Sequence, residues 1–180
     1  MSRGFSLIEL LVALFIVGVI TNAAIPLFTQ TIQLNRTRGL VTELEWFLVA
    51  AKSEAIARHE VLSVLYVRND ERHNQYRQEG DWMIVLVEPQ NLASVVDIAS
   101  AQEHALMLLD GKKFSGIPLK IGHMNFKQFS IEPLRGSTNR SGSYWVRHNN
   151  EQKIKVMMNL GTGRIRSCSY LGSYLGYRRC

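Results

Sequence analysis

Residues 1–26 read MSRGFSLIELLVALFIVGVITNAAIP, and the placement of charge in this stretch decides how the rest of the chain is organised. A short head with one charge, Arg3, ends in Gly4. Phe5 then opens an apolar run to Ile25, broken only by Ser6, Glu9, Thr21 and Asn22. About 21 residues at ~1.5 Å each give a helix of roughly 30 Å, long enough to cross the hydrocarbon core of a bilayer. Glu9 is the anomaly. A carboxylate costs roughly 2.5 kcal/mol or more near a bilayer centre, so an acid inside such a run implies a function and a partner.

Three readings compete for the segment. A secretory signal would be cut after the apolar run, behind small residues, and Asn22-Ala23-Ala24 is a poor version of that site. A plain membrane anchor explains the length but neither Gly4-Phe5 nor Glu9. The third reading takes G-F-S-L-I-E-L-L, residues 4–11, as it stands. Here the chain resembles the class III signal of type IV prepilins and type II secretion pseudopilins. The resemblance implies that a membrane peptidase cuts after Gly4 and methylates the new N-terminal Phe5. Glu9, fifth from Phe5, matches the glutamate that marks the family, and Pro26 falls where pilin helices commonly bend. Glu9 of one subunit would neutralise the charged amine of a neighbour's Phe5, because a buried charge is tolerable only when paired. The alternative is a protonated Glu9 that snorkels to the interface.

The division that follows is a leader at 1–4, a helix at 5–58 with 5–25 transmembrane, and a globular head at 59–180. Some 150 of the 180 residues remain outside the leader and anchor, enough for one domain of ordinary size. Cys168 and Cys180 are the two cysteines. In an oxidising compartment they read as a disulfide closing a short tail loop, against the alternative of two free thiols in a loose terminus. His59, His73, His104, His123 and His148 are scattered and none stands at ligand spacing from a cysteine, so no metal site is expected. No cofactor is expected either. The chain lacks a Gly-x-Ser-x-Gly elbow, an HExxH pair and a P-loop, and no paired acids are placed for catalysis. The expectation is a protein that is not an enzyme.

After Pro26 the period stays helical. Leu40, Val41, Leu44, Phe47, Leu48, Ala51, Ala55 and Ile56 recur at steps of three and four, a stripe that faces a core. Beyond Arg58 the period changes. Val61–Val67 and Trp82–Val87 are β-rich, with Asn69-Asp70 and Glu79-Gly80-Asp81 as turn chemistry between them. Ser94–Leu109 reads as a helix or as a short strand with a loop. Ile117–Ile121, Phe126–Ile131, Tyr144–Arg147 and Lys153–Met158 complete a set of short strands. The fold class is α+β: a long N-terminal helix packed on a small antiparallel sheet head.

Charge is unevenly spread. From Arg135 to Cys180 there are nine basic residues against Glu151 alone, a net +8, which leaves −2 of the overall +6 for the preceding 134 residues. A basic face of this density suggests a polyanionic partner, DNA among them, or else a soluble charged face with no ligand. Leu48–Arg58 reads L-x-x-A-K-S-E-A-I-A-R and Gly161–Arg166 reads G-x-G-R-I-R. In these segments the chain is similar to the GspH/FimT group of minor pseudopilins. The resemblance implies a single-pass inner-membrane protein with a periplasmic head, incorporated into a periplasmic or surface filament. Prepilin peptidase, other major and minor pilins and inner-membrane lipid would be its partners. FimT-like members bind DNA through a C-terminal G-R-x-R, which Gly163–Arg166 matches. In a strand Arg164 and Arg166 share a face, about 6.5–7 Å apart. Lys153, Lys155 and Arg147 on the preceding strands would join them, as would Arg178 and Arg179 if a Cys168–Cys180 bridge folds the tail back, and Tyr170, Tyr174 and Tyr177 would stack on exposed bases. The competing expectation is that the tyrosines pack on the sheet and the arginines meet a neighbouring pilin, in assembly without DNA.

Overall fold

The computed structural model describes residues 6–68, 76, 78–122, 128–148 and 151–180. Gly4, Phe5, the Asn69-Asp70 turn, His73, His123, Phe126 and Asn149-Asn150 lie outside the described residues. The side chains of Ala23, Pro26 and Leu27 do too. The chain divides into two compact units, Met1–Asn35 and Arg36–Cys180. The second begins well before residue 59, because the helix supplies part of its core.

Helix α1 runs from Leu7 to Arg58. Ser6 opens it: the Glu9 N–H donates to the Ser6 Oγ at 3.3 Å, and Glu9 places an acid in the first turn, where the helix dipole favours one. In the first unit the side chains of Leu7 to Val19 stand exposed. Thr21 Oγ1 donates to the Val17 carbonyl at 2.8 Å and Asn22 Nδ2 to the Gly18 carbonyl at 2.9 Å. Both polar groups are thus satisfied within the apolar run. Among the described residues no helix is long and apolar enough to cross a membrane. The expected 5–25 span is not recovered as such. Phe5, the first residue of that span, lies outside the described residues, as does the Ala23 side chain.

The end of α1 is a Schellman motif. The His59 N–H bonds to the Ile56 carbonyl and the Glu60 N–H to the Ala55 carbonyl, with His59 left-handed at φ 53° where glycine is usual. Arg58 braces the last turn through Glu54 at 2.6 Å and Glu88 at 3.0 Å.

In the second unit the strands are β1 (Leu62–Arg68), β2 (Trp82–Val87), β3 (Met107–Asp110), β4 (Leu119–Ile121), β5 (Gln128–Ile131), β6 (Gly142–Arg147), β7 (Lys153–Met158) and β8 (Ile165–Ser169). They form two four-stranded sheets of antiparallel neighbours, in the orders β3-β2-β1-β5 and β4-β6-β7-β8. The region that read as helix or strand contains both, a seven-residue helix α2 (Ile98–His104) and then β3. Asp97 caps α2: it accepts from the Ser100 N–H while Ser100 Oγ accepts from the Asp97 N–H, and the Ser100 contacts hold the Asp97 carboxyl below its usual range.

The α1 stripe from Leu40 to Ala55 is buried with the inner faces of both sheets in one cluster. Ile56, expected on that stripe, is 38% exposed; the buried stripe ends at Ala55. Every residue of β1 and β2 is buried. Their other face carries Leu65, Val67, Met83, Val85 and Val87, packed with α2 and the preceding 3-10 turn (Pro89–Ser94) through Leu92, Val95, Ile98 and Ala101. That double burial is why neither strand alternates apolar with polar residues. Strands β6 and β7 instead alternate buried and half-buried residues. One face of the second sheet therefore stays open, and it positions the site.

Candidate functional site

On β6 and β7 the alternation sends Tyr144, Val146, Ile154, Val156 and Met158 into the core, leaving Trp145, Arg147, Lys153, Lys155 and Met157 on the opposite face. The register aligns them across strands. Lys120 on β4 stands opposite Trp145, and Trp145 opposite Lys155; Arg147 is opposite Lys153, and Met157 opposite Arg166. Rings lie between the cations. Lys155 Nζ is 5.3 Å from the centre of the Trp145 ring, and Lys153 Nζ is 5.8 Å from that of Tyr170. Tyr76 lies between Lys120 Nζ at 4.8 Å and the Arg147 guanidinium carbon at 4.4 Å. Trp145 and Tyr170 meet edge to face at 5.8 Å. Burial pushes the Tyr76 hydroxyl above its ordinary pKa, with the Arg147 charge acting against it, so the ring is neutral beside these cations.

Arg164 and Arg166 are both exposed. Arg166 lies within β8, and Arg164 precedes it by one residue, its carbonyl accepting the Asn159 N–H at 3.0 Å to continue the β7–β8 ladder. The hairpin loop before Arg164 is clamped from two sides. Its Gly161 N–H bonds to the Thr138 carbonyl at 3.2 Å, and Lys52 Nζ on α1 donates to the Gly163 carbonyl at 3.3 Å. Gly163 is left-handed at φ 57°, and a Cβ there would collide with the Gly136 carbonyl. The Leu48–Arg58 and Gly161–Arg166 segments, distant in sequence, therefore meet at one point.

The tail folds back, as the cysteine pair suggested: Cys168 and Cys180 are joined in a disulfide. The Ser169 N–H bonds to the Arg178 carbonyl and the Cys180 N–H to the Ser169 carbonyl, strapping the last residues to the open edge of β8. Arg178 and Arg179 are exposed on this strap. Tyr174 and Tyr177 close a tight hairpin turn whose central residues, Leu175 and Gly176, are both left-handed.

Tyr174 and Tyr177 are not available for stacking. Both pack, with Leu175, against the main core cluster, and burial raises both phenols. The Tyr174 ring lies 6.0 Å from that of His148, whose Nδ1 is 3.2 Å from the hydroxyl of buried Thr37 on α1. Burial lowers the His148 pKa, so the ring adds no charge to the face at neutral pH. Tyr170, 54% exposed, is the tyrosine of the three that stays on the basic face.

The structure thus assembles Lys153, Lys155 and Arg166 on one open surface, with Arg164 beside it and Arg178 and Arg179 on the adjoining edge. Among the described residues none of these six cations pairs with a carboxylate. Trp145, Lys120, Arg147 and Tyr76 belong to the same surface. The first three carried a legible signal, the period-two alternation of Tyr-Trp-Val-Arg and Leu-Lys-Ile; Tyr76 carried none, since it stands outside the strands. Among the described residues no cluster of three or more His, Cys, Asp or Glu is placed to hold a metal.

Residues 1–21 match the family described as the prokaryotic N-terminal methylation motif. The motif implies processing by a prepilin peptidase and assembly with other pilins, and suggests a membrane-anchored pilus component. No curated protein matches the chain. Among solved structures the chain is similar to the type IV minor pilin FimU of Pseudomonas aeruginosa PAO1 in two crystal forms. In space group P21 the TM-score is 0.53 at 15% identity, covering 73% of this chain and 87% of that one. In P65 it is 0.50 at 14% identity, covering 72% and 90%. At that identity the likeness establishes the fold. The chain carries the methylation motif of prokaryotic prepilins and has the fold of a type IV minor pilin.

Proposed function

We propose that this chain is a minor pilin of a type IV pilus, or of a type II secretion-like filament, that binds DNA without sequence preference for uptake in natural transformation. It is cut after Gly4, methylated on Phe5, and held in the inner membrane with its head in the periplasm until Glu9 registers it into the filament. The observation that carries the DNA reading is the open face of the second sheet, where Lys120, Arg147, Lys153, Lys155 and Arg166 stand together, with no carboxylate pairing them among the described residues. Cations left unpaired on a flat surface suit the phosphate backbone, which supplies most of non-specific affinity. Arg164, Arg166, Arg178 and Arg179 add forked donors for bidentate phosphate contact.

The test is the salt dependence of duplex binding by the detergent-solubilised full chain. Each neutralised phosphate contributes about −0.9 to the slope of log affinity against log salt. Four contacts give a slope of roughly −3 to −4, and the double change Arg164→Gln and Arg166→Gln lowers its magnitude by about two. An unchanged affinity and slope in the double variant would remove these arginines from the site. The second reading, filament assembly without DNA, is favoured by Trp46 and Val49, which are 67% and 44% exposed on α1 and suit burial against another subunit. In that case the basic face meets an acidic neighbour, and duplex binding is absent at every salt concentration.

A further inference from the structure

Trp145 is a large ring in the middle of an open sheet face, and its position is not explained by packing. It belongs to neither hydrophobic cluster among the described residues, and Tyr170 and Tyr76 belong to neither as well. Its cross-strand neighbours are Lys120 on one side and Lys155 on the other, so the ring sits between two cations on adjacent strands. Tyr170 meets its edge and carries Lys153 in turn. A surface that bound only the backbone of a duplex would have no use for these rings, because duplex bases are stacked on one another and out of reach. Rings bracketed by cations are the arrangement that takes an unpaired strand, bases on the aromatic faces and phosphates on the charges to either side.

Resting on the DNA reading above, we infer that the face around Trp145 and Tyr170 is a stacking platform for unpaired bases, and that the form of DNA it prefers is single-stranded. The lysines over the rings do not block it. An exposed cation–π contact is worth about 0.5–1 kcal/mol, whereas stacking a base on an aromatic side chain is worth about 1–3 kcal/mol. A lysine that swings from the ring to a phosphate exchanges an uncharged partner for a charged one, and the base takes its place.

Fluorescence anisotropy of the detergent-solubilised full chain would compare a labelled oligothymidine of about 20 nucleotides with a blunt duplex of equal length at one salt concentration. The single strand is expected to bind about tenfold tighter or more. Trp145→Ala and Tyr170→Ala are each expected to weaken it about 5- to 100-fold, the equivalent of one lost stack, while duplex affinity stays within about twofold. Trp145→Phe should recover part of the loss, and the thermal midpoints of the variants report whether the head is intact. Duplex binding as tight as single-strand binding, or a folded Trp145→Ala variant with unchanged single-strand affinity, overturns the platform and leaves the DNA reading standing. Binding to neither probe overturns the DNA reading itself.

Discussion

Gly163 separates what a short motif means chemically from what it means structurally. Its two arginines are exposed, but the glycine is buried, left-handed at φ 57°, and in contact with the Gly136 backbone beneath Lys52. An L-residue in that conformation costs roughly 1–2 kcal/mol before any collision is counted. Gly163→Ala is therefore expected to lower the unfolding free energy by more than about 2 kcal/mol in urea titration. Gly172→Ala is the control: its φ is 69° but nothing lies within 4 Å of the added carbon. It should cost only the conformational part, about 1 kcal/mol. Equal losses for the two would mean that the apposition with Gly136 contributes nothing. Residue by residue, the exposed arginines were legible from composition and period; the demand for glycine was not, because it comes from a backbone 27 positions away, by the difference between 163 and 136.

At the scale of elements, period distinguished the two kinds of sheet surface. Lys153–Met158 alternates because one of its faces is open, and Val61–Val67 does not because α2 and the turn before it cover the second face. The α1 stripe was equally plain, since three- and four-residue spacing over several turns has no other packing solution. The tail was plain only in part. Its cysteines suggested a closed loop, yet Tyr174 and Tyr177 carry no pattern that says they turn inward onto the core. The disulfide closes a separation of 12 residues, which by chain entropy stabilises by about 2–3 kcal/mol. Reduction, or the double change Cys168→Ser and Cys180→Ser, should lower stability by that amount. It should also speed hydrogen exchange at the Ser169 and Cys180 amides, whose bonds form the strap. Unchanged exchange at both amides would mean that the hairpin and the packed tyrosines hold the tail alone.

For the whole molecule, the N-terminal motif and the head make independent statements. The motif occupies residues 1–21, whereas the likeness to a minor pilin rests on fold across 73% of the chain. Processing is the property that joins them. The intact mass of the protein from its native host is expected to show loss of Met1 to Gly4 and gain of one methyl group, giving a mature chain that begins at Phe5. Cleavage near Ala24 would return the segment to an ordinary secretory signal and separate the head from any filament.

The sequence by itself determined the methylation motif, the helical stripe, the strand-rich head, the paired cysteines and the excess of positive charge near the C-terminus. Each is a local property: spacing, period or composition within a few turns of chain. Only the tertiary structure decided which charges stand together. Lys120, Trp145, Lys155 and Arg166 come from four strands, and their alignment depends on the order β4-β6-β7-β8 and on a register set by the buried faces. Tyr76 comes from outside the strands, and Tyr174 and Tyr177 turn half-buried onto the core cluster that α1 shares with both sheets. A one-residue slip in β7 would send Lys153 and Lys155 into the core, and the cost of burying two charges is what holds them on the open face.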